Sequence, residues 1–198
     1  MVLSVFNTNT ITPPQPKARE LYFQKQVNQD TVAALSKDLL EIDKHDQYLK
    51  KLYSCHGQEY KAEPIQLYID SYGGSVYQCF GLLGIMEQSK TPITTIVTGV
   101  AMSAGFMIAI SGHHRKAYKH ATFMYHQLSS AAWGTMADLI QQVEEAQRLQ
   151  NKIHAIVTAK TKITLPLLED NFNRKLDWFM DVNIAKEYGC LDEVIDNG

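Results

Sequence analysis

A chain of 198 residues with 45% hydrophobic content is long enough to enclose one sizeable core and short for two, so a single domain is expected over residues 19–198. Nineteen Lys and Arg against 21 Asp and Glu, a formal charge of −2, exclude the broad basic field that would gather nucleic acid or an anionic membrane surface. No run approaches the ~20 apolar residues of a membrane span, and three widely spaced cysteines, Cys55, Cys79 and Cys190, fit reduced thiols in a cytoplasmic protein better than a disulfide framework.

Met1 to Phe6 is apolar but brief, lacks a positively charged start and runs into Pro13-Pro14-Gln15-Pro16. It does not read as a signal peptide, and residues 1–18 are expected to form a flexible arm. Glu20-Leu21-Tyr22-Phe23 has the aromatic content and brevity of a strand. Asn28 and Asp30 then offer caps to a helix striped by Val32, Leu35, Leu39 and Ile42. From Asp43 to Glu63 the pattern dissolves into Lys, His, Asp, Gln and Tyr with one Gly, and the helix is expected to fray there into a long polar loop.

The strand Pro64 to Ile69 ends in Asp70-Ser71-Tyr72-Gly73-Gly74-Ser75, after which Val76, Phe80, Leu83 and Met86 resume helical spacing. The same strand-turn-helix unit then repeats. Ile93 to Val97 is β-branched, Gly99 punctuates it, and Ser103-Ala104-Gly105 opens the apolar run Phe106 to Ile110, read as a buried helix. A third strand, Thr122 to Tyr125, ends at His126. Residues 135–160 are the longest periodic segment, with Met136, Leu139, Ile140, Val143, Leu149, Ile153 and Ile156 on one side. Leu165 to Asn171 is a short helix starting near Pro166, and Ile184 to Gly189 another, closed by its glycine. Strands alternating with helices imply an α/β domain whose strand ends gather the functional loops.

Two turns could receive developing negative charge, because a strand giving way to a helix exposes backbone N–H groups. Gly73-Gly74 permits close approach of the backbone, although such a turn is common without any function. Ser103 could project its hydroxyl beside the Ala104 amide, or could simply cap the helix. His126 directly after a strand is as readily a structural residue, and Asp177 alone is unremarkable in composition. His113, His114 and His120 have no Cys or carboxylate at ligand spacing, so no metal site and no cofactor are expected.

Taken together and in order, Gly73-Gly74-Ser75-Val76, Ala101-Met102-Ser103-Ala104-Gly105, Met124-Tyr125-His126-Gln127 and Asp177-Trp178-Phe179-Met180 resemble the Clp protease proteolytic subunit. The intervals of 29, 23 and 51 residues between Gly74, Ser103, His126 and Asp177 are similar to that family's, as is the closing segment Ala185 to Asp192. The resemblance runs from about Arg19 to Asp196. It implies an α/β fold of the Clp protease and crotonase type, and a serine peptidase with Ser103 as nucleophile, His126 as general base and Asp177 orienting the imidazole. The backbone N–H groups of Gly74 and Ala104 would form the oxyanion hole. Substrate would pair as an added strand along Gly73, Ser75 and Val76 and along Gln127 and Leu128, recognising polypeptide generally and sequence weakly. The helix at 135–160 would be the handle by which two seven-membered rings of identical subunits stack into a chamber.

The chain also departs from the family. Fewer residues precede the first strand, Tyr72 and Leu128 stand where prolines are usual, and the 43–63 stretch is longer. The rim that accepts loops of a hexameric AAA+ unfoldase matches Gln66, Tyr68, Gln88, Ile96, Thr98, Tyr118 and His120, a polar set that implies weakened docking. A maturation peptidase of phage type working without an ATPase, and a non-catalytic ring scaffold, are the alternatives. A hydratase of the same fold class would need the paired amides but no Ser-His-Asp set.

Overall fold

The structure, a computed structural model, describes residues 18–129, 131 and 133–196; apart from Ala18, the expected arm lies outside them. The first unit runs β1 (Glu20–Phe23), α1 (Gln29–Cys55), β2 (Ile65–Ser71), α2 (Val76–Gln88), β3 (Ile93–Met102) and α3 (Ala104–Ala109). There follow β4 (His114–Tyr118), β5 (Thr122–Tyr125), α4 (Met136–Lys160), α5 (Leu165–Asn173), β6 (Trp178–Met180), α6 (Val182–Glu187) and β7 (Glu193–Ile195). The seven strands share one sheet. β1-β2-β3-β4-β7 are parallel neighbours, β5 lies parallel to the end of β3, and β6 is antiparallel to β5.

The core follows from the apolar runs. Ile65, Leu67 and Ile69 of β2, Ile93 and Val97 of β3, Leu82 and Met86 of α2, and Phe106 and Ile108 of α3 are all buried. A parallel sheet covered by helices needs such strands. α2 packs against both α1 and α3.

The first helix corrects the sequence expectation. It does not fray at Asp43 but continues to Cys55, leaving only 56–64 as turn and coil. Two of its carboxylates face protein, while Lys44, Lys50 and Lys51 stay exposed. Asp43 Oδ1 accepts the Lys90 and Thr91 N–H groups at 2.7 and 2.8 Å. Asp46, 2% exposed, accepts both Arg19 Nη groups at 2.6 Å, Thr91 Oγ1 at 2.7 Å and the Tyr60 hydroxyl at 2.8 Å. A polar run on a helix stays helical when its carboxylates have such fixed partners.

β3 serves two neighbours in turn. Thr94–Val97 pair with β4 and Val100–Met102 with β5. The change coincides with a register shift between Ile69 and Ser71 on β2, where Asp70 Oδ1 accepts the Val100 N–H at 2.9 Å. A Cβ at Gly99 would lie 2.7 Å from that carboxylate, so any larger residue would displace the Asp70 side chain from this contact. β4 is rich in cations, which hid it as a strand; Arg115 bonds Asp192 and the carbonyls of Lys160 and Gly189. α4 divides in two. Leu149, Ile153 and Val157 pack on the core, whereas Met136, Ile140 and Val143 are 73%, 55% and 66% exposed.

Candidate active site

Strand register brings the distant residues together. Met102 at the end of β3 pairs with Met124 of β5, and one step on the Ser103 N–H donates to the Met124 carbonyl at 2.9 Å. Ser103 sits at φ 55, ψ −121, a region that a residue with a Cβ occupies at a cost of about 1–3 kcal/mol. The chain thereby turns sharply from β3 into α3 and lifts the hydroxyl off the sheet, as in a nucleophile elbow. In the antiparallel pair, Tyr125 lies opposite Trp178; the next residues outward are His126 and Asp177. β6 is held by Met180, which is buried, and by the Trp178 ring, edge-on to Tyr188 at 4.9 Å.

His126 Nε2 lies 2.8 Å from Ser103 Oγ. His126 Nδ1 lies 3.7 Å from Asp177 Oδ1, and the Asp177 side chain is 61% exposed. The first distance is a hydrogen bond, while the second is a charge contact too long for one. With the hydroxyl donating to Nε2, the imidazole proton resides on Nδ1, facing the carboxylate.

The paired glycines pack against this elbow. Gly73 and Gly74 have φ values of +100° and +146°, and a Cβ on Gly73 would come within 2.7 Å of Ser103 Cβ. The Gly73 carbonyl accepts Val27 N–H, and Ser75 N–H donates to the Val27 carbonyl, each at 2.8 Å. Successive residues of an extended chain point to opposite edges, so the Gly74 N–H is turned away from Val27; Gly74 lines one cavity with Ser103 and Ala104. Neither the Gly74 nor the Ala104 amide bonds to another described residue.

A cavity of about 180 Å³ adjoins the hydroxyl, lined by Gly74, Val76, Met107, Gln127, Leu128 and Ile153 with the catalytic-type pair. Cys79 lines it too, its thiol pushed up to about 12 by burial and therefore chemically quiet. Of the residues expected to touch substrate, Val76, Gln127 and Leu128 line this cavity. Ser75 caps α2 through Gln78 N–H at 3.4 Å, and Gly73 lies behind the elbow.

Sequence reading missed Gln150 and His154. Gln150 Oε1 accepts the Leu128 N–H at 2.7 Å, while its Nε2 meets the Tyr125 hydroxyl at 3.1 Å and His154 Nε2 at 2.8 Å. This ties α4 to both sides of His126. The signal was a polar pair four residues apart inside the apolar stripe of the helix, 2% and 7% exposed in the fold.

The expected rim residues differ in exposure. Gln66, Tyr68 and Thr98 are half-buried, Gln88, Tyr118 and His120 exposed, and Ile96 is enclosed within the sheet at 4% exposure. Tyr22, not foreseen there, stacks on Tyr68 with centroids 5.0 Å apart. Of the remaining histidines, His113 Nδ1 accepts Ile93 N–H at 3.1 Å and His114 lies between Asp192 and Glu193 at 3.5 and 3.4 Å. Among the described residues no group of three or more His, Cys, Asp or Glu could hold a metal ion.

The family model described as Clp protease matches residues 15–198. The chain is 28% identical over 179 residues to the ATP-dependent Clp protease proteolytic subunit of Bacteroides thetaiotaomicron, covering 89% of this chain and 74% of that one. It is 33% identical over 134 residues to the ATP-dependent Clp protease proteolytic subunit 2 of Synechococcus sp., 67% of each chain. Among solved structures, a ClpP1 mutant from Listeria monocytogenes superposes with a TM-score of 0.74 at 22% identity, over 90% of this chain and 92% of that one. The last establishes the fold.

Proposed function

The chain belongs to the Clp protease family, and we propose that it is a serine endopeptidase cleaving unfolded polypeptides. The observation that carries this reading is the 2.8 Å contact of His126 Nε2 with Ser103 Oγ at a strained elbow. As the hydroxyl attacks a peptide carbonyl, its proton passes to Nε2; the new oxyanion faces the Gly74 and Ala104 amides. Each such donor is worth about 10²- to 10³-fold in rate. The tetrahedral centre then collapses, His126 returns the proton to the departing amine, and water repeats the sequence to release the acyl group. Asp177 favours the Nδ1–H tautomer and the transient imidazolium.

Leu128 spends its N–H on Gln150, so in an extended segment the alternate residues Gln127 and Ser129 present their backbone groups to an incoming strand. Main-chain pairing of this kind binds peptide with little regard to sequence. The exposed Met136, Ile140 and Val143 on the first half of α4 suit burial against a second copy, as in stacked rings enclosing the sites. An ATPase partner is a further part of the proposal: Tyr22, Tyr68 and Tyr118 offer aromatic surface, and Gln66, Gln88, Thr98 and His120 keep it hydrated, so docking is expected to be weak.

A fluorophosphonate should label Ser103 stoichiometrically, and Ser103→Ala should abolish labelling and lower peptide turnover by about 10⁶-fold while leaving the native particle mass unchanged. A wild-type protein inert to the probe and to peptides would end the peptidase reading in favour of a scaffold.

A further inference from the structure

The wall of the active-site cavity continues beyond it. A second groove, of about 580 Å³, shares Gly74, Val76, Leu128 and Ser129 with the first and is lined further by Tyr77, Trp133 and Leu149. Tyr77 and Trp133 are 57% and 78% exposed, yet both are tethered. The Tyr77 hydroxyl donates to Glu145 Oε1 at 2.7 Å, and Glu145 is gripped by Arg148 at 2.7 and 2.8 Å. The Trp133 carbonyl accepts the Gln142 amide at 3.1 Å.

Charge in the groove is largely committed. Hydrogen bonds from Arg148 and then Tyr77 hold the Glu145 carboxyl down at about 2, and Asp138 is engaged by the N–H and hydroxyl of Thr135 at 2.9 and 2.7 Å. Tyr77, Trp133, Val76, Leu128 and Leu149 give the groove an apolar wall beside the neutral polar Gln141 and Gln142, and the excess of negative charge disfavours an incoming carboxylate. Alternate side chains of an extended peptide share a face and stand ~7 Å apart. A peptide lying along Gly74–Val76 and Gln127–Ser129, with the residue of the attacked carbonyl in the first cavity, brings the residue two places before it to the second.

Resting on the peptidase reading, we propose that Tyr77 and Trp133 form a second side-chain subsite, which selects an aromatic or long aliphatic residue two positions before the cleaved bond. The general main-chain pairing thereby gains a preference.

The test uses internally quenched peptides alike except for Phe, Leu, Gly or Asp at that position, on the wild type and on Tyr77→Ser, Tyr77→Phe and Trp133→Ser. Wild-type kcat/KM should favour Phe over Gly by about tenfold, mainly through KM, with Asp the poorest. Both Ser variants should flatten that ratio and Tyr77→Phe, which keeps the ring, should retain it. A flat wild-type profile, an undiminished ratio in the Ser variants, or a preference found instead on the leaving-group side would overturn the subsite. So would a changed particle mass in Trp133→Ser with the preference intact, which would assign the groove to a second copy. Fluorophosphonate labelling separates the two readings: a labelled enzyme with no preference removes only the subsite, whereas an unlabelled, inactive one removes the peptidase.

Discussion

Asp46 and Asp177 are two carboxylates with opposite surroundings. Asp46 lies at 2% exposure within reach of four donors, and although burial pushes its carboxyl up, the hydrogen bonds from Arg19, Thr91 and Tyr60 outweigh that and hold it below the ordinary range. Asp177 is 61% exposed with an imidazole nitrogen 3.7 Å away. This buried anionic site thus ties α1 to the residue before β1 and to the turn before β3, away from Ser103. The carboxylate proposed for catalysis stays near solvent, at the free end of a three-residue strand. Its contact with His126 can tighten when substrate excludes water.

The sharpest way to test that contrast is to remove each group and read both turnover and stability. Asp177→Asn should lower kcat for peptide hydrolysis by about 10³- to 10⁴-fold, since the amide no longer favours the needed tautomer, with the melting temperature unchanged. An unaltered kcat would show that His126 is oriented by something else. Asp46→Ala should do the reverse. It strands Arg19 beside buried polar groups, a loss of about 3–5 kcal/mol, or ~6–20 °C in melting temperature for a domain of this length. The fraction that remains folded should keep wild-type kcat. Equal melting curves for Asp46→Ala and wild type would mean that the network is no anchor.

The same two residues mark where sequence reading succeeds and where it stops. Asp177 was legible as part of an ordered set of motifs, but β6, which carries it to His126, was not: three residues give no periodicity, and their antiparallel pairing with β5 is a long-range fact. Asp46 was misread because Lys, His, Asp and Gln on a helix resemble a solvated loop until Arg19, Tyr60 and Thr91 are known to meet them. The strand Thr122–Tyr125 and the helix near 135–160 were legible at full length, since β-branched and aromatic residues, or an apolar stripe over seven turns, state their own geometry. The left-handed φ of Ser103 could not be seen, because nothing local favours it; it is imposed by Gly73 packing behind it and by the Met124 carbonyl.

His154 offers the mildest way to separate anchoring from catalysis, because it lies between them, on α4, bonded through Gln150 to the residues flanking His126. It is 7% exposed, edge-on to the Phe172 ring at 6.3 Å and beside Tyr125. Burial lowers its affinity for a proton, and the charge of Glu169 restores this only in part. The folded state therefore binds that proton less readily than the unfolded chain. Stability is complete above the ordinary imidazole value of 6.5 and is lost as pH falls through the lower folded value. Asp46, also lowered, releases its contribution only below the ordinary carboxylate value of 3.8, in a separate and more acid window. Melting followed from pH 7 to pH 5 should thus decline in the wild type and decline less in His154→Gln, which keeps an acceptor for Gln150 but cannot take up the proton. Parallel slopes in the two proteins would show that the acid sensitivity arises elsewhere. A protonated His154 also ceases to accept from Gln150, whose other bonds go to Leu128 and to Tyr125 of β5.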